Sequence, residues 1–233
     1  MPTIFNIQEN VFGGPVKNGD LIAVCNVVAH LRKNIPDLQF HMLPGSVSTV
    51  DYIQKFYEFL LDQTDYLSRT LGAQNVPWRK VNLWDFRDTI GDNVVINNNL
   101  MQEKKIVIFP TFDAPYNQYR NWSQDAFNEL LKEYDHSKFE GYRKVICHKT
   151  PLNIKGWEDS TDFMQNINHI MTSEIFVGGD TGTSHFAWAL DNGPSDLIYY
   201  NSGRGLVHCL PFYLLEGKGK YKKYWLNFEG TTW

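Results

Sequence analysis

From Lys104 onward, short apolar runs alternate with segments in which apolar residues recur every three or four positions. The runs at 106–109, 144–147, 175–177 and 197–200 predict four buried strands. The segments between them predict three helices: the first capped by Ser123, the second near 160–172, and the third after a glycine-rich turn. Because strands that alternate with helices form parallel sheets, this half predicts a doubly wound α/β sheet.

The first hundred residues repeat this theme less regularly. Strands are predicted at 4–7 and 38–42, with a helix after Asp20 and a longer helix from Val50 to about Leu71. A last strand is predicted at 94–96, and residues 97–103 resemble a linker. The sequence therefore predicts two Rossmann-like α/β lobes, at residues 1–100 and 104–233, with a cleft between their facing strand ends.

Composition narrows the class of protein. The chain has 233 residues, of which 42% are hydrophobic and 21% charged, as in a folded globular protein. Its formal net charge of −4 gives no global attraction to nucleic acid or anionic membrane, so such a partner would need a local basic patch. We find neither a signal peptide nor a run of about 20 apolar residues, so we expect a cytoplasmic protein, of a bacterium or of the host cell if viral.

The stretch 175–190 carries the densest chemistry in the chain. A short strand runs into a turn where glycine, hydroxyl, acidic and histidine residues converge before a helix. These residues are Gly179, Asp180, Thr181, Gly182, Thr183, Ser184 and His185. Free backbone amides at a helix start favour an anion, and glycines let a ligand approach closely. A tight connection in which Asp180 binds its own backbone is the alternative.

A second glycine-rich turn, at 12–20, precedes the first helix. We expect both turns to face the cleft. Asp20 has two interpretations: a helix N-cap with no further function, or a general base. The helix dipole favours its charged form, whereas a general base works best with a pKa near the working pH.

Residues 179–190 resemble the Asp-Thr/Ser-Gly-x-x-His-x-Ala-x-Ala-Leu signature of heptosyltransferase-like glycosyltransferases with the GT-B fold. Two further segments agree in order: 106–110 followed by Arg120-Asn-Trp122, and the turn Asn18-Gly-Asp20. The chain is about a hundred residues shorter than typical members. The chain is identified as a compact member of this family, and a phage-type enzyme is one possibility within it.

The resemblance implies a nucleotide-sugar donor and assigns roles to particular residues. Asp20 stands at the position of the candidate general base, and Arg120 at that of a phosphate-binding lysine. Residues expected to contact the donor are Arg120, Lys149, Asp180, Thr181, Gly182, Thr183, Ser184 and His185. Secondary candidates are Gly19, Thr111 and Glu158.

The implied function is transfer of a hexose, pentose or heptose from a nucleotide-diphosphate sugar to an acceptor hydroxyl, without a cofactor or a metal. The acceptor is a saccharide or a hydroxymethylated base in phage DNA, and the lysines and aromatics at 218–225 suit the second. The alternatives are a nucleotide-sugar epimerase of the same fold and a non-catalytic nucleotide- or glycan-binding module. The sequence leaves open the sugar, the nucleobase, the stereochemical outcome and the oligomeric state.

Overall fold

A computed structural model describes residues 4–7, 17–36, 39–42, 48–64, 67–69, 96–113, 121–179, 181–201 and 223–227. Nine strands and five α-helices lie in these ranges. In chain order they are β1 (Ile4–Ile7), α1 (Asn18–Arg32), β2 (Gln39–Met42), α2 (Asp51–Gln63), β3 (Leu67–Arg69), β4 (Glu103–Phe109), α3 (Gln124–Tyr134), β5 (Arg143–Cys147), β6 (Glu158–Ser160), α4 (Phe163–Thr172), β7 (Ser173–Gly178), α5 (Gly182–Ala189), β8 (Asp196–Asn201) and β9 (Lys223–Asn227).

The strands form two parallel sheets. One has three strands in the order β1-β2-β3, and the other has six in the order β6-β5-β4-β7-β8-β9. The predicted α/β class with a parallel sheet is confirmed. The lobe boundaries at 1–100 and 104–233 stay a prediction.

The central strands of the six-stranded sheet, β4, β5 and β7, are buried on both faces. One face packs against α3 through a cluster that includes Ile108, Phe127 and Val177. The other face packs against α4 and α5, and the same cluster continues into α1 and α2. Helices from both halves of the chain therefore share one hydrophobic core, because each is apolar along the side that faces the other.

An aromatic group joins the helices of the two halves. The ring of Phe56 on α2 lies 6.0 Å from that of Phe163 on α4 and 5.5 Å from that of Phe186 on α5, both edge to face. Edge-to-face pairs at these distances add to the energy of burial. The start of α5 is thus fixed to a layer of helices rather than to the sheet alone.

The predicted length of α2 is wrong at its end. The helix stops at Gln63 instead of near Leu71, because Thr64 is extended and its hydroxyl donates to the Leu60 carbonyl at 2.8 Å. A threonine hydroxyl that bonds backward offers the chain an alternative to the helix. Three residues further on, Leu67 begins β3.

Three edge strands were not predicted: β3, described above, β6 and β9. Glu158, a secondary candidate for the donor site with no predicted strand around it, begins β6, where Val145 is its register partner on β5. No strand is predicted in the lysine-aromatic segment 218–225, but its last residues begin β9, which lies beside β8. The rest of the lysine-aromatic segment lies outside the described residues.

The predicted linker is firmly attached to the larger sheet's helices. Ile96 forms a parallel bridge with Leu190, and the buried Asn98 donates from Nδ2 to the Met171 carbonyl at 2.7 Å. The backbone N–H of Asn98 also donates to the Asp191 carboxylate at 2.7 Å. This segment therefore holds the carboxyl ends of α4 and α5 together. The predicted strand at 94–96 lies outside the described residues except for Ile96.

Candidate functional site

The site is centred on the turn between β7 and α5. β7 ends beside β4, with Gly178 paired to Phe109 at the carboxyl edge of the sheet. Thr181 is extended and precedes the first helical residue, Gly182. The predicted strand, turn and helix are confirmed at this position. In parallel α/β sheets this edge is where ligands bind.

Hydrogen bonds within the turn fix its shape. The Ser184 hydroxyl donates to the Gly179 carbonyl at 2.6 Å, and the Thr181 amide donates to the same carbonyl at 2.8 Å. A Cβ on Gly178 would lie 2.5 Å from Ser184 Oγ, so only glycine permits this hydroxyl to enter. Ser184 is buried, and its hydroxyl stabilises the turn.

Hydroxyl groups also lie at the helix start. Thr181 Oγ1 and Thr183 Oγ1 are 2.8 Å apart, with Thr181 half-buried and Thr183 buried. His185 is half-buried one residue after Ser184, and its amide donates to the Thr181 carbonyl at 3.4 Å. Five predicted donor-binding residues, Thr181 to His185, thus lie together at the start of one helix.

The start of α1 contacts the start of α5. A Cβ on Gly182 would lie 2.8 Å from both the Gly19 amide nitrogen and Asn18 Cβ, and a Cβ on Gly19 would lie 3.7 Å from Gly182 Cα. The two helices approach this closely because Gly182 lacks a side chain, whereas a Cβ on Gly19 would make only an ordinary contact. The two turns were expected to face each other, and the described part of the first turn does contact the second.

Two helix starts at one point produce a positive electrostatic potential. Each α-helix leaves its first amides without a partner in the helix, and each carries roughly half an elementary positive charge at this end. The first turn of α5 has no acidic side chain, whereas the first turn of α1 contains Asp20. The junction is therefore suited to an anion such as a phosphate group.

Asp20 lies near this junction, and its predicted position at the helix N-cap is wrong. The helix begins at Asn18, so Asp20 is the third residue of α1 rather than its N-cap. The side chain of Asp20 lies outside what the structure describes. Arg120 and Asp180 fall outside the described residues altogether, so their roles stay predictions.

Three other candidates follow or flank neighbouring strands. Thr111 comes after β4, and its carbonyl accepts a hydrogen bond from the Trp122 amide at 2.7 Å. Lys149 comes after β5 and forms an ion pair with Asp113. Glu158 accepts two hydrogen bonds from the Arg143 guanidinium, at 2.8 and 2.9 Å. That ion pair holds the pKa of Glu158 below its usual value, and the structure does not bring this carboxylate to the glycine-rich turn.

Some residues at this edge of the sheet were not nominated from the sequence. Asp113 neutralises Lys149, and Asn18 is adjacent to Gly182. His148 binds Thr150 through Nδ1, while its Nε2 is buried with no hydrogen-bond partner among the described residues. A polar residue directly after a buried strand is the signal that would have drawn attention to His148, whereas Asp113 follows the end of β4 by four residues and has no such signal.

The residues that the structure describes contain no cluster of three or more His, Cys, Asp or Glu suited to a metal ion. Over the same ranges, every helix is too short or too polar to cross a bilayer.

Comparison with known proteins defines the class of fold. No protein-family model and no curated sequence matches the chain. Solved structures of glycosyltransferases have the same fold as this chain. The resemblance to heptosyltransferase-like enzymes, predicted from residues 179–190, is therefore confirmed at the level of the fold.

Two such structures align over most of their length. The heptosyltransferase WaaC of E. coli, solved with ADP, has a TM-score of 0.54 at 10% identity, covering 97% of this chain and 91% of that one. A glycosyl transferase family 9 protein from Veillonella parvula has a TM-score of 0.50 at 9% identity, covering 98% and 88%.

Proposed function

We propose that the chain is a GT-B glycosyltransferase that transfers a sugar from a nucleotide-diphosphate donor to an acceptor hydroxyl. One observation carries the proposal: the starts of α1 and α5 meet through Gly19 and Gly182, beside the hydroxyls of Thr181 and Thr183. The two-lobed arrangement, with lobes at 1–100 and 104–233, is part of the proposal. So is a reaction that needs no metal or cofactor.

The chemistry follows from the charge of the leaving group. Cleavage of the glycosidic bond leaves a nucleoside diphosphate, whose terminal phosphate gains negative charge. Free amides at Gly182 and Thr183 would donate to that phosphate, and the two helix dipoles would stabilise it. Because these amides are already oriented by the turn, little reorganisation is needed during the reaction.

The acceptor side of the proposal rests on Asp20. Its place in the first turn of α1 puts its backbone close to the junction, on the opposite helix from Gly182. There it would remove the proton from the acceptor hydroxyl. Arg120, Asp180 and His185 complete the donor site by resemblance to the family. Lys149 would reach the nucleotide after separating from Asp113.

A thermal-shift screen of nucleoside diphosphates and nucleotide sugars tests donor binding. A ligand at 100 times its Kd should stabilise the folded state by about 2.7 kcal/mol. A Kd below 1 mM for at least one of them is expected, and the absence of any shift would refute the proposal. A transfer assay with the best donor then separates the alternatives. Free epimerised sugar without an acceptor would indicate an epimerase, and binding without turnover would indicate a binding module.

A further inference from the structure

A buried polar group lies at the amino edge of the six-stranded sheet, away from the glycine-rich turn. Asn166 and His169 on α4 are one helical turn apart and only 3% and 4% exposed. Asn166 Oδ1 and both ring nitrogens of His169 have no hydrogen-bond partner among the described residues. Buried polar atoms are normally paired. A charge on the unpaired imidazole in this seam, the buried contact of Asn166 and His169 with the sheet, would therefore cost additional folding free energy.

Charged side chains on three neighbouring strands of the sheet act on His169. They are Glu103 and Lys105 on β4, Arg143 on β5 and Glu158 on β6. Lys105 is itself 1% exposed, and its Nζ binds Glu103 at 2.9 Å and the Thr172 hydroxyl at 2.5 Å.

The two carboxylates near His169 are already engaged. Glu103 pairs with Lys105, and Glu158 pairs with Arg143 through two hydrogen bonds. A proton on His169 would therefore add a third cation to a group with two neutralised acids. Its attraction to Glu158 and Glu103 is offset by repulsion from Lys105 and Arg143.

The electrostatic balance agrees with this geometry. Burial lowers the pKa of His169 below its usual value, and the charges of Lys105 and Arg143 lower it further. His169 is accordingly neutral in the folded protein at pH 7.

We propose that His169 is an acid-sensitive lock between α4 and the sheet. Neutral His169 packs in the seam, and its protonation loosens α4. The effect would extend toward the start of α5, since Phe163 on α4 contacts Phe56, which contacts Phe186.

The direction of the pH effect follows from the lowered pKa. The unfolded chain binds the His169 proton near pH 6.5, whereas the folded chain binds it only at lower pH. Stability from this residue is therefore complete above about pH 7 and falls as pH drops below about 6.5. One proton changes the unfolding equilibrium constant by up to tenfold per pH unit.

Urea unfolding between pH 5 and 8 tests the proposal, because this range lies above the titration of Glu103 and Glu158. The wild type should lose stability on acidification, and His169→Gln should remove a slope of up to one proton. Lys105→Met should raise the pKa of His169 and reduce the slope without removing the imidazole. Equal slopes in the wild type and His169→Gln would overturn the proposal.

Histidine NMR of the wild type provides a measurement that needs no variant. The His169 ring signals should titrate at a lower pH in the folded protein than in urea-unfolded protein. Titration at the same pH or above would overturn the proposal. Neither experiment involves a nucleotide, so the lock and the proposed transferase activity succeed or fail separately.

Discussion

A methyl group added at Gly182 acts directly on the junction between α1 and α5. The new Cβ of Gly182→Ala would lie 2.8 Å from the Gly19 nitrogen and from Asn18 Cβ. Relaxed contacts between carbon atoms are about 3.5–4.0 Å, so the two helix starts must separate by roughly 0.7 Å or more. Overpacking of this kind costs about 1–3 kcal/mol, against a gain of up to about 1 kcal/mol from replacing a helical glycine.

Binding should suffer more than folding. If the two helix starts share one diphosphate, their separation weakens at least one charge-assisted hydrogen bond, worth about 1.5–3 kcal/mol. That loss corresponds to a Kd that is about 10- to 150-fold weaker, which calorimetry with the best nucleoside diphosphate can measure.

Gly193→Ala is the matched control for this experiment. It produces a similar clash, 2.8 Å from Leu190 Cβ, at the opposite end of α5. It should lower stability while leaving the Kd within about twofold of wild type. An unchanged Kd in folded Gly182→Ala, or equal weakening in both variants, would refute the assignment of the anion site to this junction.

Three further predictions concern other contacts. Asn98→Ala removes three side-chain hydrogen bonds of a buried residue, two donated by Nδ2 and one accepted by Oδ1, and should lower the free energy of unfolding by about 1–3 kcal/mol, measured by urea denaturation. Gln102 donates to the same two carbonyls from a more exposed position, so Gln102→Ala should cost less, and the reverse order would contradict this role for the linker. Ser184→Ala loses the bond inside the turn and should cost about 1 kcal/mol by thermal denaturation, whereas an unchanged midpoint would show that the bond is dispensable. Asp113→Asn frees Lys149 and should tighten nucleoside diphosphate binding by about two- to fivefold. This gain should vanish in the double variant that also carries Lys149→Ala. An equal gain in the Lys149→Ala background would mean that Lys149 does not contact the ligand.

The elements that were predictable have strong local signals. β4, β5 and β7 each contain a run of three or four apolar residues. The serine before α3 caps it as expected, with Ser123 Oγ accepting from the Ala126 amide at 3.2 Å. β6 has no such signal, because its three residues are Glu, Asp and Ser. It is a strand because β5 offers a free edge, a tertiary property that local pattern does not encode.

The site was predictable in composition but not in geometry. The glycines and hydroxyls at 178–184 mark a ligand turn by themselves, whereas the contact of Gly19 with Gly182 joins residues far apart in the chain. His169 illustrates the same limit. His169 shares a buried polar side of α4 with Asn166 and Thr172, and only the tertiary packing brings the charges of β4, β5 and β6 near it.

The most direct test of the central claim is a crystal structure of the protein with the nucleoside diphosphate that gives the largest thermal shift. The account predicts a phosphate oxygen within about 3.2 Å of the backbone nitrogen of Gly182 or Thr183, next to the start of α1. A diphosphate bound away from both helix starts would contradict it.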